Sequence, residues 1–593
     1  MKSAEAVLAA LSARPSPSAN APRQRRIRRR AALAAALDDV RLSPLLQRIY
    51  AARGVAEAAD LDLIPDRLLP VASLEHTAEA ATLLARHREG RVLIVGDFDA
   101  DGATSTALML RALRAFGFAH VEFLVPNRFE FGYGLTPQIV DLAVGRSPSL
   151  IVTVDNGISS NAGVERAREL GLEVLITDHH LPGAALPAAQ VIVNPNVPGS
   201  AFASRALAGV GVAFYVLAAL RRELERSGSL PEGAPGMGQF LDLVALGTVA
   251  DLVPLDVNNR ILVSQGLARI RAGRCVAGIS MLLDVAQRSR DAMTASDLGF
   301  SVGPRLNAAG RLDDMSIGIQ CLVEDDPVKA RAIAQKLDQL NVERREIEAK
   351  MQSHAIEAVR HLDTSRMGSR QGICLYDAGW HQGVVGLVAS RIKDRVQRPV
   401  IAFAPAGAGE LRGSARSIPG LHIRDALDAI ASREPDLIDR FGGHAMAAGL
   451  SLSESKLDRF AQAFDAEVKR CLATQELDDS VDTDGALADE ELCLATARSL
   501  RDSGPWGQAF PEPTFDGMFE IESARVVGTR HLKLSLRPHD STAKFEAIAF
   551  NHFDPDGEPV LPEGRITAVY RLSINDFRGV ERLQLLVDHL LPA

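Results

Sequence analysis

No two of the five cysteines in this 593-residue chain form a CxxC pair, so neither a zinc knuckle nor a disulfide framework is indicated, and a reducing compartment fits best. Nowhere do about 18 apolar residues run together, and the first residues lack the order of a secretory signal, so no membrane span is expected and a cytoplasmic location is. Excess positive charge is missing too. Lys and Arg number 66 against 75 Asp and Glu, a net charge of −9, which excludes a protein coated in positive charge but not a local basic channel for nucleic acid. The GxxxxGK[ST], HExxH and GxSxG sequences are absent, which leaves a P-loop ATPase or helicase without support. No internal repeat is evident.

What is present is a large, ordinary globular composition, 47% hydrophobic and 24% charged, in a chain long enough for roughly three or four domains. The run Arg23–Arg30 holds six arginines and reads as a solvated extension; residues 1–74 carry no interpretable motif. From Arg91 to Asn194, short aliphatic runs (Val92–Val95, Val121–Val125, Leu150–Val154, Val174–Thr177, Val191–Val193) alternate with helical segments, which predicts a doubly wound α/β lobe around a buried parallel sheet. Between Pro327 and His361 no Gly or Pro interrupts a helical pattern, which predicts one connecting helix of about 50 Å, or two shorter ones. Strands at Arg370–Tyr376 and Pro399–Ala404 suggest a smaller α/β lobe, the acidic stretch Gln475–Glu491 a linker, and the alternating segments beyond Glu512 a small β-barrel. The expected division is 1–74 (extension), 75–326 (first lobe), 327–361 (helix), 362–474 (second lobe) and 475–593 (linker and barrel).

The segment Val92–Gly102 (VLIVGDFDADG) runs an apolar strand straight into Asp97, Asp99 and Asp101. Side chains two apart in an extended chain share a face, so these carboxylates converge. They repel, and persist together only if protonated or neutralised, most simply by divalent metal. Three more segments end in acids: IVTVDNG at Asp155, VLITDHH at Asp178–His180, and VALGTVAD at Asp251. Ligands of open α/β sheets bind beyond the carboxyl ends of the strands, which brings these groups to one crevice. Any one such Asp is more often a turn former or helix cap than a ligand; their recurrence changes the odds. Asp178 ranks below the others, as a residue that orients a neighbouring histidine. Carboxylates with one or two imidazoles suit manganese or magnesium better than zinc. The candidates outnumber the three or so protein groups of one catalytic site, so two ions about 3.5–4 Å apart are expected, an arrangement that cleaves phosphoesters.

The triplet Asp178-His179-His180, with GDFDADG and VDNG, resembles the DHH phosphoesterase superfamily. Segments 127–135 (NRFEFGYGL), 207–214 (LAGVGVAF), 247–254 (GTVADLVP) and 304–312 (PRLNAAGRL) resemble its RecJ branch of single-strand DNA exonucleases. Segments 380–391 (WHQGVVGLVASR), 413–417 (GSARS) and 441–449 (FGGHAMAAG) resemble the DHH-associated substrate-binding domain. Residues 505–515 (PWGQAFPEPTF) and Asn575–Gly579 resemble the OB-fold that follows it, although Gln508-Ala509 departs from the usual Gly-Asn, which bears on the local turn and not on the barrel. The resemblance covers the chain from about residue 75 onward.

It implies metal ligands at Asp97, Asp99, Asp101, Asp155, His179 and Asp251, all intact, with His180 beside them as a phosphate contact or a support. It also implies hydrolysis of single-stranded DNA from the 5′ end to 5′-mononucleotides, in repair and recombination. Polarity requires a grip on the terminal phosphate, for which arginine forks and hydroxyls are apt. Ser414 and Arg416 lead, followed by Arg128, Arg305 and Arg311, with Asn307 and His444 completing the substrate-binding set; the bland alternative is an arginine that merely pairs with surplus acid. The expected partners are single-stranded DNA, a single-strand-binding protein and a helicase, around a monomer with no membrane contact. Two other readings stay open: an oligoribonuclease or nucleotide phosphatase acting on short substrates, against which the long helix and barrel argue, and a non-catalytic single-strand-binding scaffold, against which the intact acids argue.

Overall fold

The computed structural model describes residues 26–33, 37, 39–126, 134–183, 185–362, 370–472, 480–528, 530–539, 541–553, 559–577 and 579–592. Five short strands build the first sheet: β1 (Arg91–Gly96), β2 (His120–Leu124), β3 (Leu150–Val154), β4 (Glu173–Thr177) and β5 (Val191–Val193). All pair in parallel, in the order β2-β1-β3-β4-β5. Val92–Val95 and Leu150–Val154 are buried throughout, which is why these strands show continuous apolar runs rather than alternation. The chain leaves β1 for β2 on one side and returns to β3 on the other. That reversal opens a crevice beyond the strand ends. Register then fixes what faces it: Gly96 lies opposite Val154 and Val154 opposite Thr177, so Asp97, Asp155 and Asp178 leave the sheet in a row.

Helix α1 (Ala100–Ala115) starts directly from that row and packs on both α2 (Gly209–Arg226) and α3 (Leu241–Ala250). Being enclosed, it turns its two threonine hydroxyls back on its own backbone, Thr104 to Ala100 O (2.9 Å) and Thr106 to Gly102 O (2.8 Å). Helix α4 (Pro327–Leu362) is a single element of 36 residues, not two shorter helices. It packs on the helices Ala277–Val285 and Gly303–Leu312 and, farther along, on α5 (Val385–Val396). The second lobe holds β6 (Ile373–Tyr376), β7 (Val400–Gly407), β8 (Glu410–Arg416), β9 (Arg440–Gly443) and β10 (Ala447–Ser453), ordered β9-β10-β8-β7-β6. Only β6 and β7 run parallel.

By internal contacts these lobes form one compact unit, Glu57–Glu476 with Arg501–Glu512; the described residues up to Ala56 group instead with Leu477–Leu500 and Pro513–Ala593. In that second unit the strands Phe515–Val527, His531–Pro538, Phe545–Ala549, Arg565–Phe577 and Val580–Pro592 close a barrel. Two readings need correction here. The described part of the arginine run is exposed but not a free extension: Arg26–Arg29 is a strand paired in parallel with Ser480–Thr483. Nor is the acidic stretch a plain linker, since it supplies that partner strand and Asp484, which binds Arg30 (3.1 Å) and Arg53 (2.8 Å). Each segment is too polar to show a strand pattern alone; their opposite charges cancel only when paired. Arg23, Arg25 and residues 473–479 lie outside the described residues. Among the described residues no helix is long and apolar enough to cross a membrane.

Candidate metal centre

The acidic groups meet at the β1/β3 switch point. Asp97 follows β1, Asp99 caps α1 by accepting from the Gly102 amide at 3.0 Å, and Asp101 lies in the first turn of α1. Both oxygens of Asp101 accept amides from the start of α2, Gly209 at 2.7 Å and Val210 at 2.9 Å. Asp155 follows β3 with φ 61°, a left-handed conformation that Asp tolerates better than most residues. Asp251 ends α3. Glycines let these carboxylates approach the helices: a Cβ on Gly209 would lie 2.6 Å from Asp155 Oδ1, and one on Gly247 2.8 Å from Asp101 Oδ1.

His179 Nε2 lies 3.1 Å from Asp155 Oδ1 and 3.4 Å from Asp251 Oδ2, buried and with no hydrogen-bond partner among the described residues. Burial, reinforced by the charge of His180, pushes this imidazole down to about 3, so it is neutral. A neutral ring with a buried nitrogen aimed among carboxylates is the donor set a divalent cation takes. Three groups of potential donor atoms lie within 4.8 Å of one another: Asp97, Asp99 and Asp155; Asp101, His179 and Asp251; and Asp155, His179 and His180. The first two share no residue, and the third joins them, so the arrangement fits two ions.

Electrostatics agree with that fit. Burial, then the charges of Asp101, Asp99, Asp251 and Asp97, hold the Asp155 carboxyl well above the usual range. Burial and the charges of Asp101 and Asp99 do the same to Asp251. Asp101 is pushed up to about 7 by burial and by Asp99, in spite of its two amide donors. Such groups take up either protons or cations.

Asp178 stands apart. It accepts from the amides of Ile158 (2.9 Å), His179 (2.7 Å) and His180 (3.1 Å), and bonds the His180 ring Nδ1 at 2.7 Å. Burial works to raise it, but the His180 bond and charge win and hold it below the carboxylate norm. It shapes the turn and orients His180. Burial lowers His180, yet the bond to Asp178 and the surrounding acids carry it up to about 9. The His180 ring stacks on His444 of the second lobe, centroids 5.6 Å apart and planes at 23°.

Beside the acids lies a cleft of about 370 Å³ lined by residues of both lobes, from Phe98, Asp99, Asn307 and Arg311 to Ser414 and Arg416. Strand β8 alternates: Leu411 and Ala415 are buried in the core, which turns Arg412, Ser414 and Arg416 to the other face. Arg416 donates to Ser414 Oγ at 2.8 Å and to Ser390 Oγ at 3.1 Å, and Arg412 reaches Gln382 Oε1 at 3.4 Å. Helix α5 begins here without a side-chain cap, so its positive end faces the cleft. Asn307 Oδ1 accepts the Ala100 amide at 2.8 Å, and Arg311 donates to Gly383 O at 3.2 Å.

Arg305 is not brought to this cleft. It holds Asp338 of α4 (2.8 Å) and Ser301 O (2.6 Å), the pairing role that was the bland alternative. Arg128 lies outside the described residues. Phe98, Gln382 and Arg412 line the cleft without having been singled out. The period-two spacing of Arg412, Ser414 and Arg416 was the available signal for the last.

Sequence and structure comparisons follow the same division. The DHH family, N-terminal domain, matches residues 91–248, the DHHA1 domain residues 369–470, and the RecJ OB domain residues 483–589. The chain is 53% identical over 556 residues to the single-stranded-DNA-specific exonuclease RecJ of Dickeya dadantii, covering 93% of this chain and 96% of that protein. It is 52% identical to its counterpart from Escherichia coli over the same shares. The crystal structure of RecJ in complex with Mn2+ from Thermus thermophilus superimposes with a TM-score of 0.76 at 30% identity, covering 96% of this chain and 80% of that one.

Proposed function

The chain belongs to the RecJ family of DHH-type single-stranded-DNA-specific exonucleases, and from that premise we propose that it hydrolyses single-stranded DNA stepwise from the 5′ end, releasing 5′-mononucleotides. The observation that carries this reading is the placement of two acid-rich donor groups beside a cleft edged with arginine and serine. When bound, two manganese or magnesium ions would supply Lewis acidity toward the phosphate and draw the pKa of a water toward neutrality.

Asp97, Asp99 and Asp155 would hold one ion, and Asp101, His179 and Asp251 the other. No nucleophilic side chain is then needed. His180, protonated at neutral pH and fixed by Asp178, offsets charge developing on the phosphate, and His444 backs its ring. Arg412, Ser414, Arg416 and the α5 amides suit a terminal phosphate dianion. Because the cleft lining runs from these groups to Asp99, a strand gripped by its 5′ phosphate offers its first linkage to the acids.

On this reading residues 75–326 are the catalytic domain, 327–361 the connecting helix, 362–474 the substrate-binding domain and 475–593 a strand-binding domain. The enzyme works as a cytoplasmic monomer in repair and recombination, on strands that a helicase opens and a single-strand-binding protein covers. Digestion of end-labelled single strands with Mn2+, Mg2+ or chelator tests it. Mononucleotides should appear from the 5′ end only with metal; turnover confined to dinucleotides would favour the short-substrate reading instead.

A further inference from the structure

Two loops approach the Asp101, His179 and Asp251 group with backbone. The first, Ser204–Ala208, leads into α2, whose opening amides hold Asp101, and it is joined to His179 by Asn196, whose Nδ2 donates to His179 O at 2.6 Å and to Arg205 O at 3.2 Å. The second, Leu252–Asp256, follows Asp251 directly and starts with Leu252 at φ 59°. One side chain ties them together. Asn259 Nδ2 donates to Ala206 O at 2.8 Å and to Pro254 O at 2.9 Å, which uses both of its hydrogens.

Asn259 is fully buried in the first turn of the helix Val257–Arg271, with its own amide on Asp256 Oδ1 at 2.9 Å. The other Asp256 oxygen accepts Ser204 Oγ at 2.6 Å, a second tie between the same loops. Asn259 Oδ1 has no hydrogen-bond partner among the described residues. A buried, unsatisfied amide oxygen is unfavourable and calls for a reason. An aliphatic side chain at this position would avoid that burden, so the two N–H donations are what an asparagine contributes here.

We propose that Asn259 is a positioning residue for one half of the metal centre: by joining Ala206 O to Pro254 O it holds Asp101, His179 and Asp251 together, and it makes no hydrogen bond to Asp97, Asp99 or Asp155. The proposal rests on the two-ion reading above. The adjacent Asn258 supplies a matched control. It is also buried, but its Oδ1 accepts from Leu69 N (3.0 Å) and the Tyr215 hydroxyl (2.9 Å) and reaches neither loop.

The test is titration of the full-length protein with MnCl2 by calorimetry, together with thermal melting in chelator. Asn259→Ala should weaken one of two Mn2+ binding steps about tenfold or more, the range for groups that support metal ligands, and leave the other within about twofold. Asn258→Ala should lower the metal-free melting temperature without moving either step. Ser204→Ala, a milder loss at the second tie, should weaken the same step by a smaller factor, and it decides the matter if Asn259→Ala does not fold. Both steps unchanged, both weakened equally, or the same loss in Asn258→Ala would overturn the tether. A parent protein that binds no Mn2+ would instead remove the two-ion reading, and the tether with it.

Discussion

In the barrel unit, buried aspartates are met by arginines of the same chain: Asp484 by Arg53 and Arg30, and Asp516 by Arg29 at 2.7 Å. In the crevice of the first lobe, Asp101, Asp155 and Asp251 are met above all by one another, and each is raised by burial and by its neighbours' charge. The residue type is the same, and Asp101 and Asp155 are as buried as Asp484 and Asp516; the counter-charge differs. Where the chain supplies its own cation, a buried acid is complete as structure. Where the nearest charges are like charges, folding has been completed at an electrostatic loss that only a proton or an added cation relieves. A count of acidic residues would have missed this difference.

Substitutions at the two places should therefore fail in opposite ways. Asp155→Asn keeps a side chain that tolerates the left-handed backbone at this position. It should lower nucleotide release by at least about 10³-fold, yet leave the metal-free protein as stable as the parent or more so, because one of several repelling charges is gone. Melting in chelator checks this, and a marked loss of stability there would break the comparison. Asp484→Ala should do the reverse. It strands Arg53, whose side chain is 1% exposed, and removes the acceptor for the Thr514 amide, at about 3–5 kcal/mol. Denaturant unfolding of the barrel unit measures that loss; an undiminished midpoint would show that the arginine pairs are ornamental.

How far the sequence disclosed this contrast depends on how local each signal is. The first lobe was legible because strand, turn and acid are consecutive: VLIVGDFDADG and IVTVDNG place Asp97 and Asp155 at strand ends without reference to anything distant. The crevice needed only the sheet order in addition. In the second lobe, β8, β9 and β10 were missed since small residues and glycines dominate them (GSARS, FGGH), which masks the period-two alternation that β8 and β10 do carry. Asn259 gave no signal, because its partners, Ala206 and Pro254, are backbone carbonyls brought to it by tertiary structure. The arginine–aspartate pairing of the barrel unit joins segments some 450 positions apart, such as Arg30 with Asp484, beyond the reach of any local pattern. The departure at Gln508-Ala509 proved local as expected: Ala509 sits at φ 59°, a position that Asn or Gly fills with less strain.

The acids' titration sharpens the contrast. Without metal, the folded Asp101 titrates at about 7 against an ordinary 3.8, so the folded state binds its proton more tightly than the unfolded chain does. The resulting stabilisation is fully present below about pH 4 and is lost as pH rises through about 7. Asp155 and Asp251 act in the same direction. The metal-free protein should thus melt at progressively lower temperature across that window. Mn2+ competes with the same protons, so the rise in melting temperature it produces should grow from about pH 5.5 to about pH 8. A Mn2+ effect independent of pH would mean that the ions bind elsewhere.

The smallest effect expected distinguishes pairs within the barrel unit itself. Arg29 and Arg53 both hold buried aspartates, but the Arg29 side chain is 62% exposed, so water already competes for it and salt screens it. Asp516 moreover keeps the Thr483 hydroxyl, 2.6 Å away, when Arg29 is removed. Arg29→Ala should therefore cost about 1 kcal/mol or less, and the cost should fade at about 1 M salt. Arg53→Ala should cost several times more and persist in salt, because it leaves Asp484 buried with only the partly exposed Arg30 as counter-charge. Equal losses for the two, measured by denaturant unfolding at low and high salt, would show that burial of the arginine is not what gives these pairs their weight.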